Sequence, residues 1–231
     1  MSIADNLLKY KNELEGKGVK LVAVSKHHPA EAVLEAYHAG QRVFGENLVQ
    51  EMCDKAAALP ADIEWHLIGH LQTNKVKYIA PFVKLIESVD SLKLLKEIDK
   101  QAAKNKRVID CLLQVYIADE DSKFGLAYDE LIELLRSDEF TSFKHIRIIG
   151  LMGIATNQAS EKQIRAEFNE LKVLFEGIKI SFFKNDTCFK EISMGMSADY
   201  QLAMTEGSTM VRIGSNIFGK RIIKHWKLNH S

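Results

Sequence analysis

Residues 19–39 read VKLVAVSKHHPAEAVLEAYHA. An apolar run over 19–25 breaks at Lys26-His27-His28-Pro29, and residues 30–39 then place Val33, Leu34 and Tyr37 at helical spacing. That is one strand, one turn and one helix. The unit recurs. Further apolar runs fall at 42–45, 63–68, 83–89, 108–117, 146–152, 189–194 and 209–213. Among the segments between them, 91–103 carries Leu94, Leu95 and Ile98 behind Ser91 as a plausible N-cap, and 160–175 carries Ile164, Phe168, Leu171 and Phe175. Strands alternating with helices predict a parallel sheet. About eight such units in one unbroken chain predict an α/β fold, a single (β/α)8 TIM-type barrel spanning residues 1–231. Residues 1–17 mix Leu7, Leu8 and Leu14 with Asp5, Glu13 and Glu15, which reads as an extra N-terminal surface helix. The short second run and an irregular stretch at 177–189 keep an open doubly wound sheet as the alternative.

The chain has 231 residues, a net charge of +0, and 46% hydrophobic residues, enough for one large buried core. Balanced charge argues against a strongly basic nucleic-acid surface. Its three cysteines, Cys53, Cys111 and Cys188, are widely spaced, which fits a reducing compartment rather than a disulfide framework. No run approaches the roughly 18 apolar residues of a membrane span, and the acidic N-terminal segment is unlike a signal or transit peptide. The expected location is cytoplasmic. Only three prolines occur, and no linker or low-complexity stretch marks a domain boundary.

In a barrel the active groups project from the C-terminal ends of strands. The first such end carries Lys26. A lysine closing a strand as apolar as residues 21–24 would be partly desolvated, which disfavours its charged form and makes the amine nucleophilic enough to form an imine. The alternative is a strand-end lysine that simply reaches solvent. The seventh and eighth ends carry Gly195, Ser197, Gly214 and Ser215. Barrels often hold phosphate with these two loops and a helix N-terminus: the glycines permit close backbone approach, and the serines supply hydroxyls at helix starts. Equally, the glycines can merely turn the chain and the serines merely cap helices. Arg212, two residues before Gly214, can face the interior beside a ring whose phosphate is held there. It would leave a pyridine nitrogen unprotonated, or it pairs structurally with an Asp or Glu.

Asn47 can hydrogen-bond a ring substituent or N-cap the next helix, and Met152 can pack on a ring face or in the core. His66 and His70 lie four apart on a strand and turn with no third ligand nearby, so no metal is expected. Lys75 and Lys123 can add positive potential at the mouth. No GxGxxG, Walker, HExxH or GxSxG pattern is present.

The chain resembles the pyridoxal phosphate homeostasis proteins, small relatives of the barrel domain of alanine racemase. The matching stretches are LVAVSK ending at Lys26, FGEN ending at Asn47, WHLIGHLQTNK at 65–75, SKFGL around Lys123, HIRIIGLMGI around Met152, ISMGMSADY around Ser197 and GSTMVRIGSNIFGKR at 207–221. The resemblance implies pyridoxal 5′-phosphate (PLP) held as a covalent aldimine on Lys26. It further implies Arg212 facing the pyridine nitrogen, Ser197, Gly214 and Ser215 holding the phosphate, and Asn47 and Met152 lining the ring. Asn216 departs from the pattern, standing where relatives carry a smaller residue.

The implied role is cofactor homeostasis, the buffering and delivery of PLP, with PLP-dependent apoenzymes as transient recipients and a monomeric protein without turnover chemistry. The residues supply their own reason: racemisation needs proton transfer on both faces of a carbon, and a lone Lys26 covers one. Two other classes stay open. One is a low-activity amino-acid racemase, which would incorporate deuterium at an α-carbon. The other is a Schiff-base aldolase using the same lysine without a coloured cofactor.

Overall fold

The strand runs pair in sequence order, and the last returns to the first. The computed structural model describes residues 2–118 and 124–219. Its strands are β1 (Lys20–Val24), β2 (Val43–Glu46), β3 (Glu64–Leu67), β4 (Leu85–Val89), β5 (Ile109–Gln114), β6 (Ile146–Met152), β7 (Glu191–Met196) and β8 (Met210–Ile213). All neighbouring pairs are parallel and the barrel is closed. Closure decides between the two architectures. Lys20, Leu21, Val22 and Ala23 pair with Met210, Val211, Arg212 and Ile213, so β1 and β8 have no free edge of the kind an open sheet would leave.

Strand alternation divides the apolar residues between two compartments. Val22, Leu85, Leu112, Met152 and Met210 form a small cluster of their own inside the barrel. Ala23, Phe44, Trp65, Ile86, Leu113, Ile192 and Val211 belong instead to the large outer core beneath the helices. Strands buried on both faces read as continuous apolar runs, which is why all eight stand out in the sequence.

The helical layer comprises α1 (Ile3–Leu14), α2 (Ala30–His38), α3 (Val49–Ala58), α4 (Val76–Ile79), α5 (Leu92–Lys104), α6 (Tyr128–Arg136), α7 (Asp138–Ser142), α8 (Glu161–Phe182), α9 (Tyr200–Thr205) and α10 (Ser215–Phe218). Ser91 caps α5 as expected, its side chain accepting from the Leu94 amide. A reciprocal Ser2–Asp5 capping box starts α1. This helix is more than a surface ornament. It buries Leu7, Tyr10 and Leu14, packs against α2 and α10, and donates from Asn6 to the Ile217 carbonyl at 3.1 Å. With only the four-residue α10 following β8 among the described residues, α1 covers the seam between β8 and β1.

One expectation is corrected. The stretch from 177 was expected to be irregular, yet α8 continues to Phe182. Ile178 extends the buried stripe of Phe168, Leu171 and Phe175 by one more turn, while a side chain on Gly177 would meet open space. Tertiary burial along that stripe outweighs the helix cost of the single glycine.

Candidate functional site

A parallel barrel gathers every strand's C-terminal end on one face, and closure makes β8 and β1 neighbours there. Lys26 follows β1 by two residues and is half-buried. Alternation from Val22 through Val24 carries it to the barrel interior. Its neighbours in the chain are turned the other way and gripped from behind. The Ser25 hydroxyl donates to Glu46 at 2.6 Å, the Ser25 carbonyl accepts from Lys55 Nζ at 2.7 Å, and the His27 amide donates to Glu51 at 2.7 Å. A tight turn, closed by His28 N–H to the Ser25 carbonyl, puts His27 at φ 64°, a left-handed conformation unfavourable to side chains with a Cβ.

The gripping groups form a buried ionic cluster. Lys55 Nζ reaches Glu46 at 2.6 Å and Glu51 at 2.8 Å. Glu46 is fully buried, and burial pushes its carboxyl up to about 7 against the opposing pull of Lys55. Its second oxygen, Oε2, has no hydrogen-bond partner among the described residues.

Gly214 lies against β1: a Cβ there would sit 3.1 Å from the Val24 carbonyl oxygen. The Gly214 amide donates to Ser197 Oγ at 3.2 Å, joining the two loops that end β7 and β8. Asn216 strengthens the join, donating from Nδ2 to the Ser197 carbonyl at 3.0 Å and to the Tyr10 hydroxyl at 2.8 Å. Ser215 is the first residue of α10, which Gly214 precedes with no side-chain cap. The first amides of such a turn lack intrahelical acceptors and suit an anion.

One expectation about these loops needs correcting. Ser197 is not at a helix start: α9 begins at Tyr200 behind Asp199, whose carboxylate accepts from the Met196 amide at 2.6 Å. Gly195, at φ 95°, has a packing requirement of its own, since a Cβ on it would fall 2.5 Å from the Ala203 Cβ of α9.

Arg212 occupies the barrel interior, 4% exposed. Its guanidinium donates to Ser193 Oγ at 2.5 Å and to the Gly153 carbonyl at 3.0 Å, and it lies 3.9 Å from Glu87. Glu87 in turn accepts from Ser193 Oγ at 2.6 Å and pairs with His66 Nδ1 at 2.7 Å. Burial opposes ionisation of Glu87. The hydrogen bond and charge of His66, the Arg212 charge and the Ser193 hydroxyl outweigh it, and the carboxyl is held below its usual range. An ionised carboxylate only accepts, so His66 Nδ1 bears the hydrogen. The structural-pairing alternative for Arg212 therefore holds for part of its guanidinium.

Asn47 does not N-cap α3, where Leu48 takes that position without a side-chain bond. It is half-buried beside Gly69, on which a Cβ would lie 2.7 Å from the Asn47 carbonyl oxygen. Met152 is fully buried in the inner apolar cluster and pairs with Ser193 in the β6–β7 register. Lys75 is exposed in the turn after β3, near the Tyr78 ring. Lys123 lies outside the described residues. His70 pairs with Asp90 at 3.0 Å and stacks on Phe124, and among the described residues no group of three potential metal ligands forms. Sequence reading missed Glu46, Lys55, Glu87, Ser193 and Asn216. The available signal was a polar residue inside an apolar run for two of them, Glu87 after Ile86 and Ser193 after Ile192, and directly after one for Glu46.

The family "Alanine racemase, N-terminal domain" matches residues 1–221. The pyridoxal phosphate homeostasis protein of Aquifex aeolicus is 40% identical over 214 residues, covering 90% of this chain and 91% of that protein. PipY of Synechococcus elongatus PCC7942, solved with PLP bound, is 36% identical with a TM-score of 0.85, covering 94% of this chain and all of that one. Alanine racemase of Bartonella henselae shares the fold at 18% identity and a TM-score of 0.69, with this chain spanning 60% of its length. The closed barrel, its sequence match and its full-length relatives together establish that the chain belongs to the alanine racemase N-terminal domain family, among the pyridoxal phosphate homeostasis proteins.

Proposed function

We propose that this chain binds pyridoxal 5′-phosphate and serves cofactor homeostasis, buffering and delivering PLP without turnover chemistry of its own. One observation carries the reading: β1 runs out into the turn bearing Lys26 beside Gly214, which is hydrogen-bonded to Ser197 and opens the uncapped α10. This donor set suits a phosphorylated aldehyde. Lys26 offers an amine to the aldehyde carbon, and the Ser215 amide with the Ser197 and Ser215 hydroxyls offer donors to the phosphate where Gly214 leaves room for close backbone approach. Arg212 offers fixed positive charge toward the ring nitrogen, with Asn47 and Met152 beside the ring. When bound, PLP supplies an electron-withdrawing ring and an aldehyde. The PLP-bound PipY structure and the name of the Aquifex relative, pyridoxal phosphate homeostasis protein, support the same ligand and role.

The covalent bond belongs to this proposal. Borohydride reduction of PLP-loaded protein followed by peptide mass mapping is expected to find the pyridoxyl-phosphate adduct on Lys26. An unmodified Lys26, or an adduct confined to other lysines, would overturn it. Purified protein in heavy water should leave the α-hydrogen of free amino acids in place. Rapid deuterium incorporation that disappears in Lys26→Ala would establish the racemase reading instead. The reading further takes residues 1–231 as one domain, a cytoplasmic monomer with PLP-dependent apoenzymes as transient recipients, and neither nucleic acid nor membrane as a partner. No helix among the described residues is long and apolar enough to cross a membrane.

A further inference from the structure

The peptide units on both sides of Lys26 are held by one buried cluster that lies outside the barrel wall. Alternation sends Ser25 outward and Lys26 inward. Behind the wall, Glu46 from the end of β2 and Lys55 from α3 meet Ser25, while Glu51, one helical turn before Lys55, meets the His27 amide. Lys55 Nζ makes three bonds, at 2.7 Å to the Ser25 carbonyl, 2.6 Å to Glu46 and 2.8 Å to Glu51. Its side chain is 6% exposed and that of Glu46 is 0% exposed. Burying an ammonium and a carboxylate rarely stabilises a fold more than apolar packing of the same volume would, so such a pair calls for a role beyond stability.

The backbone supplies that role. His27 sits at φ 64°, a conformation that costs about 1 kcal/mol or more for a residue with a Cβ. Unless held from outside, the turn would relax and Lys26 would swing with it. The Glu51 bond to the His27 amide and the two Ser25 bonds clamp the turn on either side of the lysine.

We propose that Lys55, with Glu46 and Glu51, forms a positioning cluster for Lys26, setting the direction from which its amine reaches an aldehyde. The inference rests on Lys26 being the amine that bonds PLP. In that reaction the neutral amine nitrogen adds to the aldehyde carbon, a C–N double bond forms, and the carbonyl oxygen leaves as water. Misdirecting the amine slows this step and leaves anchoring of the phosphate, at the other loops, intact.

The test compares two ligands on the full chain. PLP reports bond formation through its visible absorption change after rapid mixing. Pyridoxine 5′-phosphate, an alcohol at the same carbon, reports non-covalent anchoring alone. Lys55→Met is expected to slow bond formation by about tenfold to a hundredfold while leaving affinity for pyridoxine 5′-phosphate within about twofold of the parent. Lys55→Arg, which keeps a charge and donors, should recover part of the rate. Equal losses for both ligands would mark Lys55 as general scaffolding and overturn the proposal, as would an unchanged rate. Should Lys55→Met fail to fold, Glu51→Gln at the cluster's more exposed edge is read in the same way, and an unchanged rate there refutes the clamp. If the parent protein binds both ligands but never bonds PLP through Lys26, the functional reading itself is what falls.

Discussion

Replacing Glu87 by Gln should cost the protein about 3 kcal/mol, and the structure supplies the reasoning. The carboxylate is fully buried, accepts from Ser193 at 2.6 Å, pairs with His66 at 2.7 Å and lies 3.9 Å from the Arg212 guanidinium. At an effective dielectric near 20, opposite unit charges about 4 Å apart attract by about 4 kcal/mol. Relief of the carboxylate's desolvation offsets part of this, and breaking one partner of a buried pair typically costs about 3–5 kcal/mol. For a chain of this length each kcal/mol moves Tm by about 2–4 °C, which gives a fall of roughly 10 °C. Thermal unfolding followed by circular dichroism in PLP-free buffer reads it directly. Pairing also predicts non-additivity: Glu87→Met with Arg212→Met should be closer to the parent than the sum of the two single losses, because neither charge is left stranded. A Tm within about 2 °C of the parent for Glu87→Gln, or strict additivity in the double variant, would refute the reasoning.

Three further outcomes are expected. Glu46 holds its proton to about 7, against 4.5 when unfolded, so the folded state binds that proton more tightly. The associated stability is full below 4.5 and is lost as pH rises through 7, a decline of about 3 kcal/mol that urea titrations should show in the parent and not in Glu46→Gln. Gly69→Ala drives a Cβ to 2.7 Å from the Asn47 carbonyl oxygen, and should lower stability by about 1–3 kcal/mol and weaken PLP retention, measured by equilibrium dialysis. Burial raises the Cys111 thiol well above its ordinary value, so brief alkylation with iodoacetamide should leave Cys111 unmodified in native protein and label it once urea is added.

The barrel was legible because its strands are covered on both faces. Val22 faces the interior and Ala23 the helices, so β1 must be apolar at successive positions, and the same holds for its seven counterparts. Helix α8 was read too short because Gly177 looks like a terminator until the burial of Ile178 is known. At the site, Lys26, Gly214 and Ser215 stood out by lying at strand ends next to chemically distinctive neighbours. The polar groups behind them did not. The Arg212 network joins β3, β4, β7 and β8, and the Lys26 clamp joins β1, β2 and α3. The first is a meeting of residues far apart in the chain, for which no local spacing exists; in the second only the Glu51–Lys55 pair has helical spacing, and nothing local links it to Ser25. A buried charge inside an apolar strand was the only trace, and it names one partner without the other.

The β1–β8 seam has a consequence for how this protein comes into being. Lys26 is synthesised well before the strand bearing Arg212 and the turn bearing Gly214. No early portion of the nascent chain holds both halves of the pocket. Long-range pairing of this kind is slow to form, and a ligand that engages only the finished barrel stabilises it by mass action. On the proposed site, acquisition of the cofactor would be a proofreading signal, reporting that β8 has docked beside β1.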